Sequence, residues 1–572
     1  MRRPPAGRLL TLLVVMSLAF AGVVVRLVQL QVRSGSELAA LGVSQRSHTI
    51  ALPADRGTIL DRFGDPLALS VEARDVYANP RFVTDPSGEA ELLAALIGAK
   101  ARDIEGSLRS TGTFVYVARQ LDVEVATEID ALGLPGIGTI TVPKRSYPES
   151  QLAGQVVGFV NLDGRGIAGL EQQFDAQLAG TPGERTIELG EGGQPIAHGE
   201  QTLVVPVPGA DLMTTLDPEL QYYTEMALKE AVEVNHADGG TVIVMDPATG
   251  EILAMATYPW FDPNRFGGYE TERFRNRALT DAFEPGSVNK VITAAAAVEE
   301  GVVPEGMRFV VPDHLSIGGY TIHDSHPHAT ERMMLGDIIA ESSNIGAVKV
   351  AQLVGERSMA EYLARFGFGA TTGTGFPGET AGIVPALWQW SDSSLATIAY
   401  GQGVSVTPMQ MASVYATIAN GGTWVQPKLV LGTVGVNGQL AAADTATSRR
   451  VVSRETASTV TEMLAYVVRN GTGLEAQIRG YQVAGKTGTA LKVDPATGHY
   501  TDRYVASFIG FLPASHPQVV VAAILDEPTT IYGGIAAAPL FQRVARYSIE
   551  RLQIAPAPPV NLPPHLLRDD ER

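Results

Sequence analysis

Apolar residues occur in three regimes along the chain, and each predicts a different kind of structure. From Leu9 to Val25 they are nearly continuous, interrupted by Thr11, Ser17 and Gly22. As a helix at about 1.5 Å per residue this run spans about 26 Å, just short of a bilayer core of about 30 Å. Leu27-Val28 extend it past Arg26, whose side chain can snorkel. From about 70 to 205 the apolar periods are short and broken by turn residues. Helices are predicted over 89–99 and 123–132, and another from 164 towards Leu178, stopped by Gly180-Thr181-Pro182-Gly183. Arg56–Gly64 alternates and reads as a strand entering a turn, a surface hairpin with charged edges. Lys144–Pro148 reads as a basic turn. No cluster in this region looks catalytic.

Beyond Val204–Gly209 the pattern lengthens. Pro218 to Asn235 predicts a helix, and Thr241–Asp246 with Glu251–Ala256 predict a hairpin turning at Pro247–Gly250. Tyr504–Phe511 and Gln518–Leu525 read as buried strands. Pro539–Leu552 reads as a helix with Leu540, Phe541, Val544 and Leu552 near one face. Strands at both ends of a helical middle predict one sheet sandwiched by helices. The expected organisation is a stub (1–8), an apolar span (9–30), a separate α+β module (31–205), a larger domain (206–553) and a disordered Pro-rich tail (554–572). The fold class is α/β (α+β).

Charge adds direction. Arg2, Arg3 and Arg8 precede the apolar run, which predicts a cytoplasmic N-terminus and a chain that continues outside. A cleaved signal peptide is the alternative, with Ala19-Phe20-Ala21 as its site; continuation through Val23-Val24-Val25 favours an uncleaved anchor. The net charge of −18 argues against a nucleic-acid partner. The absence of cysteine excludes disulfides, thiolate nucleophiles and cysteine metal sites.

The candidate chemistry lies in three short motifs. Glu284-Pro285-Gly286-Ser287-Val288-Asn289-Lys290 is a turn feeding an alanine-rich helix. Ser287 and Lys290 are three residues apart, so they share a helix face. A serine hydroxyl needs a base to take its proton, and a desolvated lysine can serve. Ser342-Ser343-Asn344 lies between helical segments at Leu335–Ala340 and Ile345–Leu353. Lys486-Thr487-Gly488-Thr489 follows Val483-Ala484. Two rival readings touch these segments. Residues 480–487 fit the pattern of a phosphate-binding loop, but Gly488 and the β-like run to Val493 leave no helix to cradle phosphate. The His323–His328 segment invites a metal, although Pro327 marks it as a solvated loop.

The order and spacing of the three motifs match the active-site set of penicillin-recognising serine transferases and hydrolases. With the apolar span, Arg56–Arg62, Arg145-x-Tyr147-Pro148, Gly169-Leu170-Glu171 and Tyr532-Gly533-Gly534, nearly the whole chain resembles a class B penicillin-binding protein, a membrane-anchored peptidoglycan transpeptidase. Nothing resembles the glycosyltransferase domain of class A. Phe283–Ser287 and Ser342–Gly346 look more like the division (septal) type than the elongation type. Ala329 after His328, where relatives commonly carry glycine, is a small departure.

The resemblance implies a transmembrane helix, a pedestal (dimerisation-like) domain, and a transpeptidase domain with a central antiparallel sheet flanked by helices. It implies Ser287 as nucleophile, Lys290 as base, Ser342 as proton relay, and Asn344 orienting substrate and Lys290. Lys486 would supply positive field. Thr487, Gly488 and Thr489 would form the substrate-binding strand, with the backbone N–H groups of Ser287 and Thr489 as oxyanion hole. The expected partners are peptidoglycan stem peptides, β-lactams, the membrane, a polytopic peptidoglycan glycosyltransferase and divisome proteins. No cofactor or metal is expected. A side-wall transpeptidase and a serine β-lactam hydrolase or sensor share the same motifs.

Overall fold

The computed structural model describes residues 6–33, 46–188, 196, 201–304, 306–435, 437–443, 446–494 and 497–560. Two compact units result: Met1–Asp55 with Gly180–Gly209, and Arg56–Ala179 with Ala210–Arg572.

In the first unit Ala6–Val28 is an α-helix that continues as a π-helical turn over Gln29–Arg33. Its leucines, valines and Phe20 are exposed all round, the pattern of a helix whose solvent is lipid. Among the described residues it is the one helix long and apolar enough to cross a membrane, counted as Ala6–Gln31. Ser47–Leu52, Gly183–Glu188 and Gln201–Val204 form a three-stranded antiparallel sheet in that order. Residues 34–45, near the start of the expected α+β module, lie outside the described residues.

The second unit is built on a five-stranded antiparallel sheet. Its order is Ile252–Tyr258, Gly239–Met245, Val519–Asp526, Tyr500–Leu512, Ala484–Val493. Successive side chains on a strand point to opposite faces, and both faces here are apolar. Ile243, Met245, Ile509, Phe511 and Val520 enter one core with the central helices. Val242, Val244, Phe508, Val521 and Ala523 enter a second core with the helices Pro218–Val234 and Gly533–Arg551. This is the predicted helix-covered sheet. The last helix begins six residues before the expected Pro539 and holds that proline inside it. The carbonyl that the missing proline N–H would have engaged belongs to Ile535, which lies exposed.

The region between the anchor and this sheet differs from expectation in three respects. First, it is not separate. Ile59–Leu60 pairs in parallel with Asp211–Thr214, which pairs in turn with Val430–Val434, so one sheet joins the module to the catalytic domain across the expected boundary at 205/206. Second, Arg56–Gly64 is not a surface hairpin. Arg56 and Asp61 are buried, and Arg56 Nε lies 2.6 Å from Glu171 Oε2. Third, Lys144-Arg145 lies within the strand Ile137–Ser146 rather than a turn, and Arg145 Nε meets the other Glu171 oxygen at 2.6 Å. Two guanidiniums clamp one buried carboxylate, which neither charge could tolerate alone. Charge at these positions mimicked surface residues because their partner is over a hundred positions away from Arg56.

Residues 554–560, expected to belong to the tail, pack on the body. Ile554 is buried, and Val560 exchanges backbone hydrogen bonds with the Gln482 side chain at 2.6 and 2.9 Å. Residues 561–572 lie outside the described residues.

Candidate active site

The nucleophile motif opens as a 3-10 turn, Gly286–Asn289, and becomes an α-helix at Lys290–Glu299. Residues three apart eclipse each other in 3-10 geometry, which brings Lys290 Nζ within 3.1 Å of Ser287 Oγ. The helix is buried through Ala297, and its small side chains allow that close packing. The motif is fastened from behind. Asn289 donates to the Ile398 carbonyl at 2.7 Å, Thr293 to Ala399 at 2.8 Å, and the Tyr415 hydroxyl to Val288 at 3.0 Å.

Lys290 Nζ also donates to the Ser342 carbonyl at 2.5 Å, lies 3.2 Å from Ser342 Oγ, and donates to Asn344 Oδ1 at 2.8 Å. The lysine is fully buried, and no carboxylate among the described residues pairs with it directly. Burial pushes its pKa down to about 7, against an opposing pull from Asp324. Ser342 sits between the helices Leu335–Ala340 and Asn344–Val354 with φ +61°, a left-handed conformation uncommon for a residue with a side chain. Ser343 caps the second helix by accepting from Gly346 N at 2.8 Å.

Lys486, Thr487, Gly488 and Thr489 lie in the strand Ala484–Val493. A strand interior cannot act as a phosphate loop, so the nucleotide reading fails on placement. This strand is the edge of its sheet, so one side of its backbone has no strand partner and is open to an added peptide. Gly488 is required by proximity. A Cβ there would stand 2.3 Å from Ser507 Oγ, 3.0 Å from Val288 Cγ1 and 3.3 Å from the Pro285 carbonyl. The nucleophile turn therefore packs directly on this strand. Lys486 is fully buried, with Thr487 Oγ1 at 3.2 Å and Thr472 Oγ1 at 3.5 Å. Burial, then the neighbouring Lys290, drive its pKa well below the ordinary lysine value.

All three motifs line one cleft of about 950 Å³, which exposes Ser287, Ser342, Asn344, Thr487 and Thr489 to a common space. The structure thus brings together every predicted site residue, with Lys290, Lys486 and Gly488 set behind the surface. It adds residues that no short motif announced. Thr472 bonds Thr487 Oγ1 at 2.7 Å. Glu284 accepts from Gly403 N at 2.8 Å and from Tyr500 Oη at 2.9 Å, tying the nucleophile turn to the far end of the edge hairpin. Asp324, His323 and His326 of the histidine-rich segment line the same cleft. His323 ends the strand Tyr320–His323, and His328 Nε2 meets Asp324 at 3.1 Å. Of these, only Glu284, in the same short motif as Ser287, could have been flagged from sequence, because a carboxylate next to a nucleophile is a candidate tuner of its charge.

Comparison with known proteins gives the same reading. Residues 240–546 match the penicillin binding protein transpeptidase domain, and residues 51–214 the penicillin-binding protein dimerisation domain. The chain is 35% identical to penicillin-binding protein PbpB of Mycolicibacterium smegmatis, over 94% of this chain and 90% of that one. It is 33% identical to peptidoglycan D,D-transpeptidase FtsI of Escherichia coli K12, over 94% and 91% of the two chains. The crystal structure of penicillin binding protein 3 from Mycobacterium tuberculosis in complex with aztreonam superposes with a TM-score of 0.71 at 32% identity, covering 90% of this chain and 99% of that one. With both domains present in that order, and relatives aligned along nearly their full length, the chain belongs to the class B penicillin-binding proteins.

Proposed function

We propose that this protein is a peptidoglycan D,D-transpeptidase that cross-links stem peptides through an acyl-Ser287 intermediate during septal wall synthesis. The observation that carries the reading is the position of Lys290. One buried amine, held near neutrality, touches Ser287, Ser342 and Asn344 at once. At neutral pH a large share of it is free base.

The chemistry follows from that contact. Lys290 takes the Ser287 proton as Oγ attacks the carbonyl of the penultimate D-Ala of a donor stem. The oxyanion forms against the N–H groups of Ser287 and Thr489; one such donor is typically worth about 3–4 kcal/mol. Ser342 passes the proton to the leaving D-Ala amine as the C–N bond breaks. An acceptor amine then attacks the acyl carbon, the C–O bond to Ser287 breaks, and the amine's proton returns to Ser287 through Lys290. Thr487 and Thr489 bind the donor carboxylate. Lys486, whose pKa burial holds down in the free cleft, gains a charge partner when that carboxylate arrives. β-Lactams acylate Ser287 as mimics of the donor.

The helix Ala6–Val28 supports a single-pass anchor with a cytoplasmic N-terminus, which leaves the cleft on the wall side. A polytopic glycosyltransferase and divisome proteins are the proposed partners. We propose the domain limits read from the sequence with two changes: the boundary at 205/206 is placed after Thr214, where the match to the dimerisation domain ends, and residues 554–560 join the body.

Ser287→Ala tests the reading. Labelling by a fluorescent penicillin disappears while the unfolding transition is retained; undiminished labelling overturns the nucleophile. Acyl-enzyme that turns over within minutes would favour a hydrolase. A fluorescent fusion distributed along the side wall would overturn the septal assignment.

A further inference from the structure

The left-handed Ser342 needs an explanation. A residue with a side chain in that region costs of order 1–3 kcal/mol and persists only where its surroundings over-determine it. The preceding helix accounts for part of it: Ser343 N donates to the Ile338 carbonyl at 3.0 Å, the helix-ending bond that a left-handed residue at Ser342 allows. The side facing the second helix is held by a carboxylate from another segment. Asp324 Oδ1 accepts from Asn344 N at 2.5 Å and Ile345 N at 3.0 Å, the first N–H groups of the Asn344–Val354 helix. Asp324 Oδ2 accepts from Ser343 Oγ at 2.7 Å and faces His328 Nε2 at 3.1 Å. A helix N-terminus favours negative charge, and four donors converge on this one side chain.

His328 is fixed equally tightly. Its Nδ1 lies 2.7 Å from the Ala329 carbonyl while Nε2 meets Asp324. Both nitrogens face acceptors, so only the doubly protonated ring donates to both. The surrounding charges agree. Asp313 accepts from the His328 backbone N at 3.2 Å, and Glu331, Glu341 and His326 line the same small cavity of about 110 Å³. Across the turn, Asp324 acts on Lys290, which has Lys486 behind it.

We propose that Asp324, locked in place by protonated His328, is the positioning residue that holds the Ser342–Asn344 turn in register with Lys290. The assignment rests on the transpeptidase reading of the cleft. Asp324 holds the turn that carries two of the lysine's partners, and it pulls the lysine's pKa upward against burial. His328 supplies the orientation. The Ala329 carbonyl, followed by Asp324 and Glu331, holds its pKa above the ordinary histidine value. Raising the pH through that pKa removes one proton, so one of the two acceptors loses its donor and the turn loosens. Acylation therefore needs Lys290 unprotonated and His328 protonated, and its rate is bell-shaped in pH.

The experiment is the rate of Ser287 acylation by a chromogenic cephalosporin, followed from pH 5.5 to 9.5 with full-length protein in detergent. Thermal melts accompany each variant. His328→Gln keeps one donor for Asp324 and removes the titration, so the alkaline limb flattens while the acid limb stays. Asp324→Asn lowers the maximal rate by about 10- to 100-fold and moves the acid limb to lower pH, because Lys290 loses the charge that raised its pKa. A purely structural aspartate would lower the rate without moving that limb, and this result overturns the proposal. An alkaline limb retained in His328→Gln overturns it as well, and that variant decides alone if Asp324→Asn does not fold. A wild-type protein that never acylates at Ser287 instead overturns the transpeptidase reading itself, and the positioning role with it.

Discussion

Replacing Lys290 by Met should make the protein more stable and inactive, with a stability gain that depends on pH. The amine falls from an ordinary 10.5 to about 7 on burial. That difference is worth about 5 kcal/mol, at about 1.36 kcal/mol per pH unit. Between pH 7 and 10.5 the unfolded chain keeps a proton on Lys290 that the folded chain has lost. Wild-type stability therefore rises with pH across this window. The penalty is present in full at pH 7 and below and disappears above 10.5. Methionine fills a similar volume and carries no such penalty. It forfeits the donors to the Ser342 carbonyl and Asn344 Oδ1, which costs about 1–3 kcal/mol at any pH. Lys486 remains in both proteins, and losing Lys290 removes one of the two causes that depress it, which adds to the variant's advantage with the same pH sign. The variant should thus be about 2–4 kcal/mol more stable at pH 7, and about 3 kcal/mol of that advantage should be gone by pH 9.5. The assay is the urea midpoint of both full-length proteins in detergent across this range, alongside fluorescent-penicillin labelling, which the variant loses. A stability difference that stays constant within about 1 kcal/mol from pH 6.5 to 9.5 refutes the claim that burial alone neutralises this lysine.

Two further substitutions probe neighbouring physics. Gly488→Val should overpack the contact with Val288 and Pro285, costing about 1–3 kcal/mol of stability and, by displacing the nucleophile turn, about 10²-fold in acylation rate; a rate within threefold of wild type, on the order of 1 kcal/mol, would contradict the packing argument. Glu225, buried where the first long helix of the catalytic domain meets the Ala153 backbone, shows the opposite pH sign. Burial raises its carboxyl from 4.5 to about 7, so its contribution is full below 4.5 and is lost as the pH rises through 7. Glu225→Gln should therefore stabilise the protein by up to about 3 kcal/mol above pH 7.5 and by nothing near pH 4.5, and calorimetry at the two pH values checks the sign.

Short-range order was legible because it is a property of neighbouring residues. The mostly apolar strands at 241–246 and 504–511, the continuous run from Leu9, and the spacing of Ser287 and Lys290 are all local patterns. The identity of the site was legible as well, since three motifs in fixed order carry more information than any one of them. The sequence could not say what each charge faces. Arg56 and Arg145 looked solvated because Glu171, which neutralises both, lies far along the chain from Arg56. The sheet that crosses the expected boundary was hidden for the same reason, since Asp211–Thr214 is an ordinary short strand until Ile59–Leu60 and Val430–Val434 flank it. The segment 323–328 read as a metal loop or a solvated one, and became the support of a strained serine only when Asp324 met the first N–H groups of a helix twenty residues on. Local pattern determined which elements form and which residues carry the chemistry. Tertiary structure decided protonation and strain, because both depend on which groups from distant segments share the same dry space.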